Sequence, residues 1–142
     1  MTDTNNTDSI KLSATIPADA KTIYSAWLDS EKHSAFTNSK VKIERKVDSN
    51  FIAGDGAITG TNKLLHMNKR IVQTWRSTEF PEESEDSLVE ITFEKVDKGT
   101  KVIINHSNLP EGTGKDYRKS WKDNYFKPMK EYFAPKDDKE EE

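Results

Sequence analysis

Near its C-terminal end the chain carries Trp121, Tyr125, Met129 and Tyr132 at spacings of four, four and three residues. An α-helix repeats every ~3.6 residues, so these side chains form one stripe on a helix over residues 112–133. A stripe of that bulk needs a broad apolar surface to lie on, and each large side chain buried there contributes roughly 1.5–3 kcal/mol. The rest of the chain has to supply that surface. Pro128 sits inside the helix, where it removes a backbone hydrogen bond and its ring meets the carbonyl of Asn124, so a kink is expected there.

Upstream, the periodicity is mostly that of strands. Ile10, Leu12, Ala14 and Ile16 alternate with polar neighbours until Pro17 ends the run. Residues 18–28 then put Ala20, Ile23, Tyr24, Trp27 and Leu28 on one helical face, with Asp19 near the start, where the helix dipole favours an acid. Asp29 or Ser30 caps a second short helix to about Phe36, and the pair forms a lid. Val41, Ile43 and Val47 alternate with lysines and Glu44 as a strand, followed by a turn at residues 48–50 and a short strand at 51–53. Gly54-Asp55-Gly56 is a tight turn, and residues 57–65 form a strand in which Gly60 marks a bulge or bend.

After a turn at 66–69, the next strand sets Ile71, Gln73 and Trp75 against Val72, Thr74 and Arg76. Neither face is plainly apolar. Trp75 is expected inward, and Arg76 outward against Glu90 or Glu94. The acidic segment from Phe80 to Ser87 reads as an exposed loop. Val89, Ile91 and Phe93 mark one face of the strand at 88–96, Asp97-Lys98-Gly99 turns the chain, and Thr100, Val102, Ile104 and His106 share a face of the last strand. The order is one strand, two helices, six strands and one long helix. That is an α+β domain, a curved antiparallel sheet wrapped on its C-terminal helix.

At 142 residues the chain fits one domain, over residues 10–134, with residues 1–9 and the acidic tail 135–142 expected to be disordered. A competing use of the tail is docking to a basic partner. Net charge is −3, but the terminal segments hold the imbalance, and without their charged residues 20 basic face 18 acidic ones. A near-neutral body with mixed signs argues against nucleic acid as a partner. There is no cysteine, which excludes disulfides and thiolate chemistry and suits a reducing compartment. The start lacks a basic segment followed by an apolar run, and nothing approaches the ~20 apolar residues of a membrane span, so a cytoplasmic protein is expected. Asn5-Asn6-Thr7 and Asn105-His106-Ser107 match the glycosylation triplet, which carries little weight without a secretory signal.

Motifs of catalysis are missing. No nucleophile elbow, phosphate loop or dinucleotide fingerprint occurs, and Gly54, Gly56 and Gly60 have neither the spacing nor the context for one. His33 and His66 lack metal-ligand spacing, and His106 on an apolar face reads as a satisfied core residue. No catalytic residue, metal or cofactor is expected, and the chain is read as a non-enzyme.

The run from Lys69 to Arg76, followed by Pro81-Glu82, Gly99-Thr100 and a Trp in the last helix, resembles the activator of heat-shock protein 90 ATPase homologue family. Ala35-Phe36-Thr37 and the run from Asp55 to Gly60 match the same pattern, and the resemblance spans residues 10–133. It implies the helix-grip fold of the START and birch-pollen-allergen superfamily. It further implies a stress-related, chaperone-associated role, with a heat-shock protein 90-type chaperone as a partner, or a hydrophobic ligand held between helix and sheet. Some superfamily members are cyclases, which leaves a cyclase or dehydratase as the remotest reading. The co-chaperones that name the family carry a further N-terminal domain for which this chain has no room, so a full activator is not expected. Ser120 departs from the Gly that the family often has before the Trp. Candidate ligand-cavity residues are Trp27, Phe36, Trp75, Ile91, Phe93, Val102, Ile104, His106, Trp121, Tyr125 and Met129.

Overall fold

The computed structural model describes residues 7–134, so the expectations for residues 1–6 and 135–142 lie outside it. The elements run β1 (Thr7–Ile16), α1 (Ala20–Trp27), α2 (Ser30–Thr37), β2 (Asn50–Ala53), a 3-10 turn (Gly54–Gly56), β3 (Ile58–His66), β4 (Arg70–Ser77), β5 (Ser87–Val96) and β6 (Gly99–Pro110). The long helix follows as α3 (Gly114–Trp121), a π turn (Lys122–Phe126) and α4 (Lys127–Tyr132). All neighbouring strands are antiparallel, in the order β1-β6-β5-β4-β3-β2. The α+β class and the sheet that grips a C-terminal helix are as the sequence implies.

Alternation in the strands sets the core. Ile71, Gln73 and Trp75 of β4, Val89, Ile91 and Phe93 of β5, and Val102, Ile104 and His106 of β6 are all buried on the face that meets the helices. Register locks the layer together, with Ile91 opposite both Ile71 and Ile104, and Phe93 opposite Val102. The lid helices start where short acidic side chains cap them. Asp19 accepts from the Thr22 N–H at 2.8 Å and Asp29 from the Lys32 N–H at 3.0 Å, caps worth about 1 kcal/mol each. From this lid Ile23, Tyr24, Trp27 and Phe36 enter the core.

Several local expectations are corrected. Residues 41–47 form no strand, so five strands rather than six follow the lid; one bridge links Lys42 to Ile52. Serine hydroxyls of α2 take over the role of a neighbouring strand. Ser34 Oγ accepts from the Val41 N–H at 2.9 Å and donates to its carbonyl at 3.2 Å, and Ser30 Oγ does the same for Ile43 at 2.8 and 2.9 Å. At the start of the chain, Thr7, Asp8 and Ser9 belong to β1 rather than to a disordered segment, because Asp8 pairs with Leu109 and its carboxylate accepts from the Gly114 N–H at 2.8 Å.

Gly60 is not the bulge, which falls between Asn62 and Leu64. Its role is close approach, since a Cβ there would lie 2.0 Å from the Thr74 carbonyl oxygen and 2.5 Å from the Phe51 ring. Arg76 reaches neither Glu90 nor Glu94. Its guanidinium instead clasps the acidic loop, donating to the carbonyls of Pro81, Glu82 and Ser84 and pairing with Asp86 at 3.2 Å, while Glu90 pairs with Arg70.

The long helix starts at Gly114 rather than Gly112, and Pro128 is accommodated by a change of winding. The π turn widens the helix immediately before the proline, where an α-helix would bring its ring against a carbonyl. With the winding altered, Phe126 is buried beside Tyr125 and Met129, and Tyr132 is left 43% exposed at the end of the stripe.

Candidate functional site

Three tryptophans meet where the long helix crosses the sheet. The Trp121 ring lies 5.0 Å from Trp75 and 6.3 Å from Trp27, and Tyr125 packs 4.8 Å from Trp121 and 5.0 Å from Trp27. Aromatic pairs of this kind add about 0.5–1.5 kcal/mol beyond their buried area.

Two buried histidines tie this cluster to its surroundings. Trp121 Nε1–H donates to His106 Nδ1 at 3.0 Å. In the neutral ring the proton then sits on Nε2, which donates to Ser87 Oγ at 2.7 Å, and the Ser87 hydroxyl donates to the Trp75 carbonyl at 2.7 Å. His33 uses the opposite tautomer. Its Nδ1–H donates to the Trp27 carbonyl at 2.7 Å, and Nε2 accepts from the Tyr125 hydroxyl at 2.9 Å. Burial disfavours the charged ring in both, lowering His33 to about 4 and His106 to about 3. Burial likewise pushes the Tyr125 hydroxyl up. A third polar thread crosses the core from Trp27 Nε1–H to Gln73 Oε1 at 3.4 Å and from Gln73 Nε2 to Asn62 Oδ1 at 2.8 Å. Asn62 ends that thread by donating to the carbonyls of Glu44 and Lys46.

Beside the cluster, between the long helix and the β2–β3 end of the sheet, opens a cleft of about 560 Å³. Trp75, Trp121 and Tyr125 form its aromatic floor. Tyr117, Ser120 and Asn124 line it from the helix, Asp55 and Ile58 from the sheet side, Thr37 and Ser39 from the end of the lid, and Glu79 and Phe80 from the loop after β4. Three consecutive residues with positive φ, Gly54, Asp55 and Gly56, shape the turn on the sheet side, and the Asp55 carboxylate accepts from the Lys40 N–H at 2.7 Å. Burial raises the Tyr117 hydroxyl, and the charges of Glu79 and Asp116 push it the same way against a hydrogen bond with Ser77. Trp75 Nε1–H is buried without a hydrogen-bond partner among the described residues, a state that costs about 1–3 kcal/mol.

Of the residues singled out in the sequence, Trp75, Trp121 and Tyr125 come together at the cleft. Trp27, Phe36, Ile91, Phe93, Val102, Ile104, His106 and Met129 lie in the packed core and do not line the cleft. Sequence reasoning missed Tyr117, although it stands four residues before Trp121 and continues the stripe, and it missed the acidic rim. The buried Asn62 and Gln73 were also missed as a pair, since only the three-dimensional register joins them.

Residues 17–134 match the protein family described as Activator of Hsp90 ATPase homolog 1-like protein. The Activator of 90 kDa heat shock protein ATPase homolog of Dictyostelium discoideum is 30% identical over 129 residues, which cover 90% of this chain and 33% of that protein. An uncharacterised protein of Schizosaccharomyces pombe is 27% identical over 129 residues, covering 91% of this chain and 38% of its own length. The chain thus spans about a third of the length of the curated relatives it matches. In fold it is similar to an HSP90 activator from Plasmodium falciparum, with a TM-score of 0.77 at 20% identity over 85% of this chain and 92% of that one.

Proposed function

This chain belongs to the Activator of Hsp90 ATPase homolog 1-like family, and from that premise we propose that it is a non-enzymatic module that binds a small apolar molecule between the long helix and the sheet. The observation that carries this reading is the cleft of about 560 Å³ with Trp75, Trp121 and Tyr125 as its floor. Its size falls in the range of roughly 300–1,000 Å³ typical of small-molecule sites, and it sets an aromatic floor among polar walls that include Thr37, Ser39, Ser120 and Asn124. A non-catalytic role is supported by the hydrogen bonding of His106, whose two ring nitrogens are both engaged within the core, by Trp121 and Ser87. The absence of cysteine and of any long apolar helix among the described residues is compatible with a cytoplasmic location.

The test is an amide chemical-shift titration with 2-naphthalenemethanol, a neutral bicyclic alcohol small enough for the cleft. Shifts are expected at Tyr117, Ser120, Trp121 and Tyr125. Ser120 is half-buried on the cleft wall, and Ser120→Trp is expected to weaken binding about tenfold or more by filling the space. A protein that shows no shifts at millimolar probe would sink the reading.

A second reading is docking on a heat-shock protein 90-type chaperone, favoured by the similarity to the Dictyostelium activator of 90 kDa heat shock protein ATPase homolog. It predicts that ATP turnover by the chaperone of the same organism rises when this protein is added. Unchanged turnover together with no binding at micromolar protein would remove it.

A further inference from the structure

The charge of the cleft is as one-sided as its floor is aromatic. Asp55, Glu79 and Asp116 stand on three different segments around it: the turn after β2, the loop after β4 and the first turn of α3. No Lys, Arg or His among the described residues lines the cleft. Among the described residues, none of the three carboxylates forms an ion pair, the pairs being Arg70 with Glu90, Arg76 with Asp86 and Lys119 with Asp123. Glu79 and Asp116 both act on the Tyr117 hydroxyl, which puts them within electrostatic reach of the same ring. Below the rim, Trp75 is 5% exposed and its indole N–H lacks a partner among the described residues. The cleft therefore combines aromatic side chains in its lining with three carboxylates that form no ion pair among the described residues.

We propose, resting on the reading of the cleft as a ligand site, that its guest is a cationic aromatic molecule, with a flat ring system on Trp75, Trp121 and Tyr125 and an amine or ammonium group between Asp55, Glu79 and Asp116. An apolar ring alone would cover the floor and leave all three carboxylates without an ion pair, although Asp55 already accepts the Lys40 N–H. A cation at the mouth meets those charges, and the same cation is attracted by the faces of Tyr and Trp rings nearby. An anionic guest meets repulsion from every charged group in the lining. Because the carboxylates are exposed, the preference is modest and depends on salt.

The experiment compares three probes that share one ring and differ in charge: 2-naphthylmethylamine, 2-naphthalenemethanol and 2-naphthoate, each titrated into the full chain at low ionic strength and followed by amide shifts. The amine is expected to bind about tenfold more tightly than the alcohol, and the carboxylate more weakly than both. Raising salt to about 0.5 M should shrink the gap between amine and alcohol. The double variant Glu79→Gln, Asp116→Asn, which removes two charges that make no structural hydrogen bond among those observed, should bring the three probes to within about threefold of one another while the alcohol still binds. Equal binding of all three probes to the unmodified protein would overturn the charge preference and leave the ligand reading standing. Binding of none would overturn both.

Discussion

Gly60 illustrates how one residue decides a contact that no side-chain inventory reveals. It pairs with Phe51 across β2 and β3, and the position a Cβ would take is 2.0 Å from the backbone oxygen of Thr74. Backbone cannot yield as a flexible side chain does, so Gly60→Ala is expected to destabilise the protein by at least the ~1–3 kcal/mol of an overpacked core site. Thermal or denaturant unfolding of the variant is the measurement, and a loss under about 0.5 kcal/mol would mean that the strands separate freely there. The sequence marks Gly60 as special, because glycine within a strand is seldom neutral, yet a bulge and a close approach look the same at that level. Alternation put Trp75 and Arg76 on opposite faces, and the bulk of the indole, not the pattern, favoured Trp75 inward. The partner of Arg76 was not, since a loop carbonyl leaves no trace in residue type, and three of them capture the guanidinium.

At the level of elements, hydrophobic period recovered β1, the lid helices and the strands from β3 to β6, and it overreached where something other than a ladder satisfies the backbone. Residues 41–47 alternate as a strand should, and Val41 and Ile43 are indeed buried. Alternation reports which side chains turn inward and is silent about what binds the peptide groups. Here two serines on α2 supply both donor and acceptor, and Asn62 takes the Glu44 and Lys46 carbonyls. The long helix shows the same division. The stripe located the helix and its buried face, and Pro128 announced a disturbance. The disturbance takes the form of a π turn ahead of the proline, in which Tyr125 and Phe126 are both buried. The floor of the cleft was legible as three members of that stripe and its neighbouring strand, whereas its rim depends on how three loops converge.

For the whole molecule, the two histidines connect the grip of the helix to pH. Each links the long helix to a different part of the fold, His33 from the lid through Tyr125 and His106 from the sheet through Trp121. Both are neutral when folded, with pKa values lowered by burial to about 4 and about 3. In the unfolded chain each returns to about 6.5. Between about 6.5 and 4, then, the unfolded state binds protons that the folded state refuses, and stability falls as pH falls, by up to about 1.4 kcal/mol per pH unit for each histidine. Above about 6.5 both states are neutral at these sites and this dependence vanishes. Protonation also removes the acceptor that Trp121 or Tyr125 donates to, so acid loosens the helix from both sides. Measured by denaturant unfolding from pH 7 to 4.5, the free energy should decline with a slope that His106→Gln reduces by about half, whatever that variant does to stability at neutral pH. His33→Gln should act in the same way, and the two together should leave only the carboxylate contribution. An unchanged slope in both single variants would place the acid sensitivity elsewhere and deny the histidines this role.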